Sequence, residues 1–178
     1  MSKVKTIIRF IFLSKWIFSL PKEKKILVID GALNPFSSYF KKNEMNILYR
    51  RGEEINISIL FLCLIKFEVS GLGYYKQYIK LAKPKIILSA IDVYPNFYLL
   101  SKITKVKTAF YQRGRLSYMA GVLFNKSINN KNNKKKFHVD YIFTQNKCAA
   151  KLYNSFTSGK TVCIGSFANN IKKRKIKR

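Results

Sequence analysis

The strongest constraint on how this chain can fold is the stretch Lys24-Lys25-Ile26-Leu27-Val28-Ile29-Asp30-Gly31. Its apolar run does not alternate, as a strand with one wet face would. Lysines bound it on one side and Asp-Gly on the other, so it reads as a strand buried on both faces, of the kind found in parallel sheets. In such sheets the carboxyl ends of the strands open onto the ligand crevice. Asp30 is therefore the first place to look for chemistry. The competing reading makes Asp30-Gly31 a plain turn before a helix capped by Asn34 and opened by Pro35.

The same kind of run recurs. Asn46 to Tyr49, Lys85 to Asp92, Val106 to Gln112, Val139 to Thr144 and Thr161 to Ile164 read as further strands. Between them, helical patterns fit residues 35–42, a stretch of about 15 residues from Glu53, residues 74–82 and 95–104, and Lys147 to Phe156. Glu53 and Glu54 would occupy a first turn, where the helix dipole favours negative charge. Ile57 to Ile65 is apolar on nearly every side, which suits a helix covered on both faces. Gly71 and Gly73 read as a break between two helices. Alternation of strand and helix through residues 25–165 predicts an α/β domain with three layers, a mostly parallel sheet of about six strands and helices on both faces.

Residues 1–22 come before this pattern. They are apolar and aromatic, with Lys5, Arg9 and Lys15 on one side of a helical wheel, and are too short in their apolar core to span a bilayer. A basic amphipathic helix resting in a membrane interface is expected there, with an ordinary packing helix or a signal segment as alternatives. Residues 125–136 are polar and low in complexity, as a surface loop would be, and residues 169–178 form a basic tail.

Charge narrows the partners. The chain carries 35 basic against 8 acidic residues, a net charge of +27. That field favours anionic ligands, nucleic acid or an anionic membrane surface without choosing among them. Arginine is more selective than lysine, because its planar fork matches phosphate and carboxylate. Arg50, Arg51, Arg113 and Arg115 follow the carboxyl ends of expected strands, as do Asp30, Glu53, Glu54 and Asp92. Such a rim suits an anionic or polyhydroxylated ligand, although loop-end charges also pair with one another. Phosphate-loop, dinucleotide and nucleophile-elbow motifs are absent, and a single histidine, His138, excludes any site needing two. Three widely spaced cysteines fit neither a zinc site nor a disulfide framework. No recognisable nucleic-acid module is present.

In order, Lys24 to Gly31, Asn46-Ile47-Leu48-Tyr49-Arg50-Arg51-Gly52-Glu53-Glu54, Lys83 to Leu88, Gln112-Arg113-Gly114, Val139 to Phe143 and Gly165-Ser166-Phe167-Ala168-Asn169-Asn170 resemble the amino-terminal part of bacterial surface carbohydrate biosynthesis proteins. These are glycosyltransferase-like proteins of the GT-B type, built from two Rossmann-like domains. The resemblance implies that residues 23–168 form the acceptor-side domain. It also implies a second, carboxy-terminal domain for a nucleotide-sugar donor; none follows Ser166 here, so the chain is expected to be incomplete alone, and no cofactor is expected within it. Asp30, Glu53, Glu54 and Asp92 are then the acid or base candidates. Arg50, Arg51, Arg113, Arg115, Gln112 and Asn34 are the candidates for holding an anionic or lipid-linked sugar acceptor. The expected setting is the cytoplasmic face of a membrane. The alternative is a non-enzymatic basic module for nucleic acid or anionic membrane.

Overall fold

The computed structural model describes residues 12–30, 35–49, 53–91, 94–112 and 137–166. Its frame is a six-stranded sheet. The strands are β2 (Ile26–Ile29), β3 (Met45–Leu48), β5 (Ile86–Ser89), β6 (Lys107–Tyr111), β7 (His138–Thr144) and β8 (Ser158–Cys163), in the spatial order β3-β2-β5-β6-β7-β8. Every pairing within it is parallel. The architecture is α/β and Rossmann-like.

Continuous apolar strands are buried on both sides, and β2 shows why. Leu27 and Ile29 join one core with Ile87, Phe110 and Ile142, while Ile26 and Val28 join a second core on the other face with Met45, Leu88 and Ala109. All four β2 residues are buried. The first core is covered by α2 (Gly71–Ala82), α3 (Pro95–Tyr98) and α4 (Lys147–Phe156), which contribute Tyr75, Ile79, Phe97, Tyr98, Tyr153 and Phe156. Aromatic rings meet edge to face at its centre. Tyr98 lies 6.0 Å from Phe137 and 6.1 Å from Phe156, both at 70°, a geometry that adds about 1 kcal/mol per pair beyond burial.

Several local expectations are corrected. Residues 12–13 are helical, but Lys15–Ile17 is a strand, β1, paired in parallel with β4 (Glu54–Asn56). Partners forty residues away decide it. The Lys15 N–H donates to the Glu53 carbonyl at 2.9 Å, the Lys15 ammonium reaches Glu54 at 3.2 Å, and the Asn56 amide holds the Ser19 carbonyl at 2.7 Å. Glu53 and Glu54 are therefore not in a helix. The helix that follows, α1 (Ile57–Ile65), starts at Ile57 because the Asn56 side chain caps it, accepting from the Ile59 N–H at 3.1 Å.

Gly71 and Gly73 do not end a helix; they form the first turn of α2. Ser70 is the cap, accepting from the Gly73 N–H at 2.9 Å. Glycine is needed at 73 because a Cβ there would stand 2.1 Å from the Glu68 carbonyl oxygen. The helices after Pro35 and Pro95 are shorter than expected. Pro35–Ser38 and Leu100–Lys102 are single 3-10 turns. Of the cysteines, Cys63 is buried, whereas Cys148 and Cys163 are exposed. The low-complexity loop, residues 1–11 and the basic tail lie outside the described residues.

Candidate functional site

The strand order reverses between β2 and β5. The chain leaves β2 toward β3 on one side, then crosses back to β5 on the other. Crossovers that diverge in this way open a crevice at the carboxyl ends of the two strands. Ile29 pairs with Ser89, so Asp30 and Ala90 flank that point.

Asp30 is 4% exposed. Its backbone has φ 64°, a left-handed conformation that aspartate tolerates better than most residues, and its N–H donates to the Leu48 carbonyl at 2.9 Å. Aspartate is among the residues least often buried. This one heads a row of buried polar groups along the carboxyl edge of the sheet: Asp30 after β2, Ser89 ending β5, Gln112 after β6 and Thr144 ending β7. The Gln112 side chain accepts from the Gln145 N–H at 3.1 Å, tying the ends of β6 and β7, and Ser89 accepts from the Ile91 N–H at 3.2 Å.

The opposite edge is chemically different. At the start of β6 and β7, Asp140 binds the Lys107 ammonium at 2.7 Å and the Thr108 N–H at 2.9 Å. Burial alone would raise the Asp140 pKa, but the hydrogen bonds from Lys107 and Thr108 outweigh it and hold the carboxyl below its usual range. His138 pairs with Ser158 at 2.9 Å at this same end, so the single histidine sits away from the crevice. The lysines here, Lys83 and Lys25, face Glu23 and Glu44.

Of the residues singled out from the sequence, Asp30 and Gln112 stand on the carboxyl edge. Asn34, Arg50, Arg51, Asp92, Arg113 and Arg115 lie outside the described residues, in segments that follow β2, β3, β5 and β6 in the chain. Glu54 is placed elsewhere. It lines a cleft of about 240 Å³ between the free edge of β3 and the β1–β4 ribbon, with Tyr49, Asn46, Lys24, Tyr74 and Tyr78. Asp30 does not line that cleft. Burial pushes the Tyr78 phenol up to about 12, helped by Tyr74 and Glu54, so it stays protonated at neutral pH. Asp30 and Glu54, both acid or base candidates, therefore stand in two different places. Reading the sequence missed Ser89, Thr144 and the tyrosine-lined cleft; the spacing of Tyr74 and Tyr78, four apart on one helix face, was the available signal.

Residues 110–178 match a protein family described as "putative O-antigen biosynthesis protein". The match supports a link to surface-polysaccharide biosynthesis and covers less than half of the chain. It spans Gln112, β7, α4 and β8, and leaves Asp30 and Glu54 outside it. Neither the curated proteins nor the solved structures contain a match. Among the described residues no helix is long and apolar enough to cross a membrane.

Proposed function

We propose that the chain is the acceptor-side half of a GT-B-like glycosyltransferase system in surface-polysaccharide biosynthesis. It binds an anionic or lipid-linked sugar acceptor at the carboxyl edge of the sheet, and a second Rossmann-like domain or chain supplies the nucleotide-sugar. The observation that carries the reading is the row Asp30, Ser89, Gln112 and Thr144, set at a strand-order reversal and continued in sequence by Arg50-Arg51 and Arg113. The O-antigen family match over residues 110–178 supports it from the side of biological context.

In this reading the arginines take the acceptor phosphate in bidentate fashion. Asp30, the buried carboxylate at the reversal, is the general base that takes the proton of the acceptor hydroxyl as that oxygen attacks the anomeric carbon of the donor sugar and the bond to the nucleotide diphosphate breaks, the diphosphate leaving with the electron pair. Asp92, next after β5 in the chain, is the other candidate. Glu54 drops behind them, since it is engaged by Lys15 and lines the other cleft.

Calorimetric titration with a short-chain polyprenyl-diphosphate sugar tests the site. The Arg50→Ala/Arg51→Ala variant should bind roughly tenfold to a hundredfold more weakly at unchanged thermal stability. Asp30→Asn should retain binding and abolish transfer once a donor-binding partner is supplied. Undiminished affinity in the arginine variant, or displacement of the ligand by RNA but not by sugar phosphate, would reject the acceptor site in favour of a generic basic module.

A further inference from the structure

Helix α1 is apolar at every position but Ser58, and only part of it is covered. Ile59 and Cys63 face the protein and are buried. Leu60, Phe61, Leu64 and Ile65 face outward, with Phe61 62% and Leu64 58% exposed. At 3.6 residues per turn these four span roughly 140° of the helix surface. The expectation of a helix covered on both faces is therefore wrong for one face.

Two further features extend that face. The chain leaves α1 through Phe67, which is 94% exposed and has φ 53°. A bulky residue held in the left-handed region is an outlier that costs on the order of 1–2 kcal/mol, and Phe67 recovers none of it by packing inward. At the other end, the Ser58 hydroxyl in the first turn of α1 donates to the Phe18 carbonyl, which brings the backbone of Phe18, itself 72% exposed, against the start of α1. Contiguous apolar surface of this kind marks an interaction site.

Charge identifies the occupant. Of the acids that flank α1 in the chain, Glu54 is matched by Lys15 and Glu68 by Lys76 and Gln77, while Lys66 stands at the end of α1. A second copy of the chain would bring +27 against +27, whereas an anionic bilayer carries the opposite sign. With 9 residues, α1 is about 13 Å long, so it can lie in a membrane interface and cannot cross. We infer that the exposed face of α1 and the Phe67 tip dock the protein on an anionic lipid bilayer, with Phe61, Leu64 and Phe67 inserted at the acyl boundary. The inference uses no residue of the carboxyl-edge crevice and stands if the acceptor reading fails.

Trp16, the single tryptophan, lies on β1 and is 37% exposed. Its strand, β1, packs beside α1, which makes its emission the intrinsic probe of docking. Mixing the full chain with phosphatidylglycerol–phosphatidylcholine vesicles should shift its emission to the blue and make it quenchable by brominated lipid; pure phosphatidylcholine should do so far less. The variant Phe61→Ser/Leu64→Ser/Phe67→Ser removes exposed side chains only, so its circular dichroism and melting point should match the parent. Its vesicle partitioning should fall by about a hundredfold. Parent-like partitioning by a folded triple variant would show that scattered lysines suffice and overturn the inference. Equal binding of the parent to neutral vesicles would overturn it too. So would a parent dimer that the triple substitution dissociates while vesicles remain unbound, because the face would then belong to a second copy.

Discussion

Removing the Asp140 carboxylate offers the cleanest measure of what holds the amino edge of the sheet. Its two oxygens serve three donors: Lys107 at 2.7 Å, the Thr108 N–H at 2.9 Å and the Thr108 hydroxyl at 3.1 Å. Thr108 is fully buried, so Asp140→Ala leaves a backbone donor with no partner and no access to water. Such an orphan costs about 1–3 kcal/mol. The ion pair with Lys107, itself 65% exposed, adds about 0–1 kcal/mol. The total, about 3 kcal/mol, should lower the midpoint of thermal unfolding by roughly 6–12 °C for a domain of this size. Asp140→Asn keeps an oxygen for the Thr108 N–H and should cost only about 1 kcal/mol. Urea unfolding followed by circular dichroism measures both. The sign with pH is set by the direction of the shift. The folded pKa of Asp140 is depressed, so its contribution is complete above the unfolded carboxylate value and is lost as pH falls through the folded one. The stability gap between the parent and Asp140→Asn should be widest near neutrality and close as pH drops below about 4. An alanine variant losing less than about 0.5 kcal/mol, or a gap that ignores pH, would refute the account.

Two other substitutions probe the backbone. Gly159 has φ 137° and faces the irregular register between His138 and Tyr141, where an added Cβ would stand 1.7 Å from the Val139 carbonyl oxygen. Gly159→Ala should therefore cost about 2–4 kcal/mol and free β8 from β7, visible as early amide exchange along Ser158–Cys163. Asn146 caps α4 by accepting from the Ala149 N–H at 2.8 Å, and Asn146→Ala should cost about 1 kcal/mol in the same urea assay, with Asn146→Asp nearly neutral.

The sheet was legible because burial on both faces leaves no alternation, and β2 and β5 are written as unbroken apolar runs. Helix α4 was legible to the residue, since Asn146 marks its start and Thr157 returns to extended backbone. The β1–β4 ribbon was not. Strands of three residues carry no period, and their pairing depends on hydrogen bonds between residues 15–17 and 54–56. Once that ribbon is missed, Glu54 is misplaced and the cleft with Tyr74 and Tyr78 cannot be foreseen. Asp30 and Gln112 could be picked out because each ends an apolar run in a polar residue. Ser89 and Thr144 could not, because a small hydroxyl residue at the end of a run reads as more strand. The exposed face of α1 was hidden for a related reason: composition says that a helix is apolar, and only packing says which side is covered.

The strand order has a consequence for assembly. β7, α4 and β8 close on one another within residues 138–163, and Tyr153 and Phe156 seal that unit locally. β2 must instead wait for β5, with β3, β4, α1 and α2 between them in the chain. Long closures form late and are cheap to reopen, because their entropy is spent before contact repays it. The reversal point beside Asp30 therefore exists only in the finished sheet. A change far from it, in the β3 edge or the amino-end network at Asp140, can erase the crevice while leaving the β7–α4–β8 unit standing.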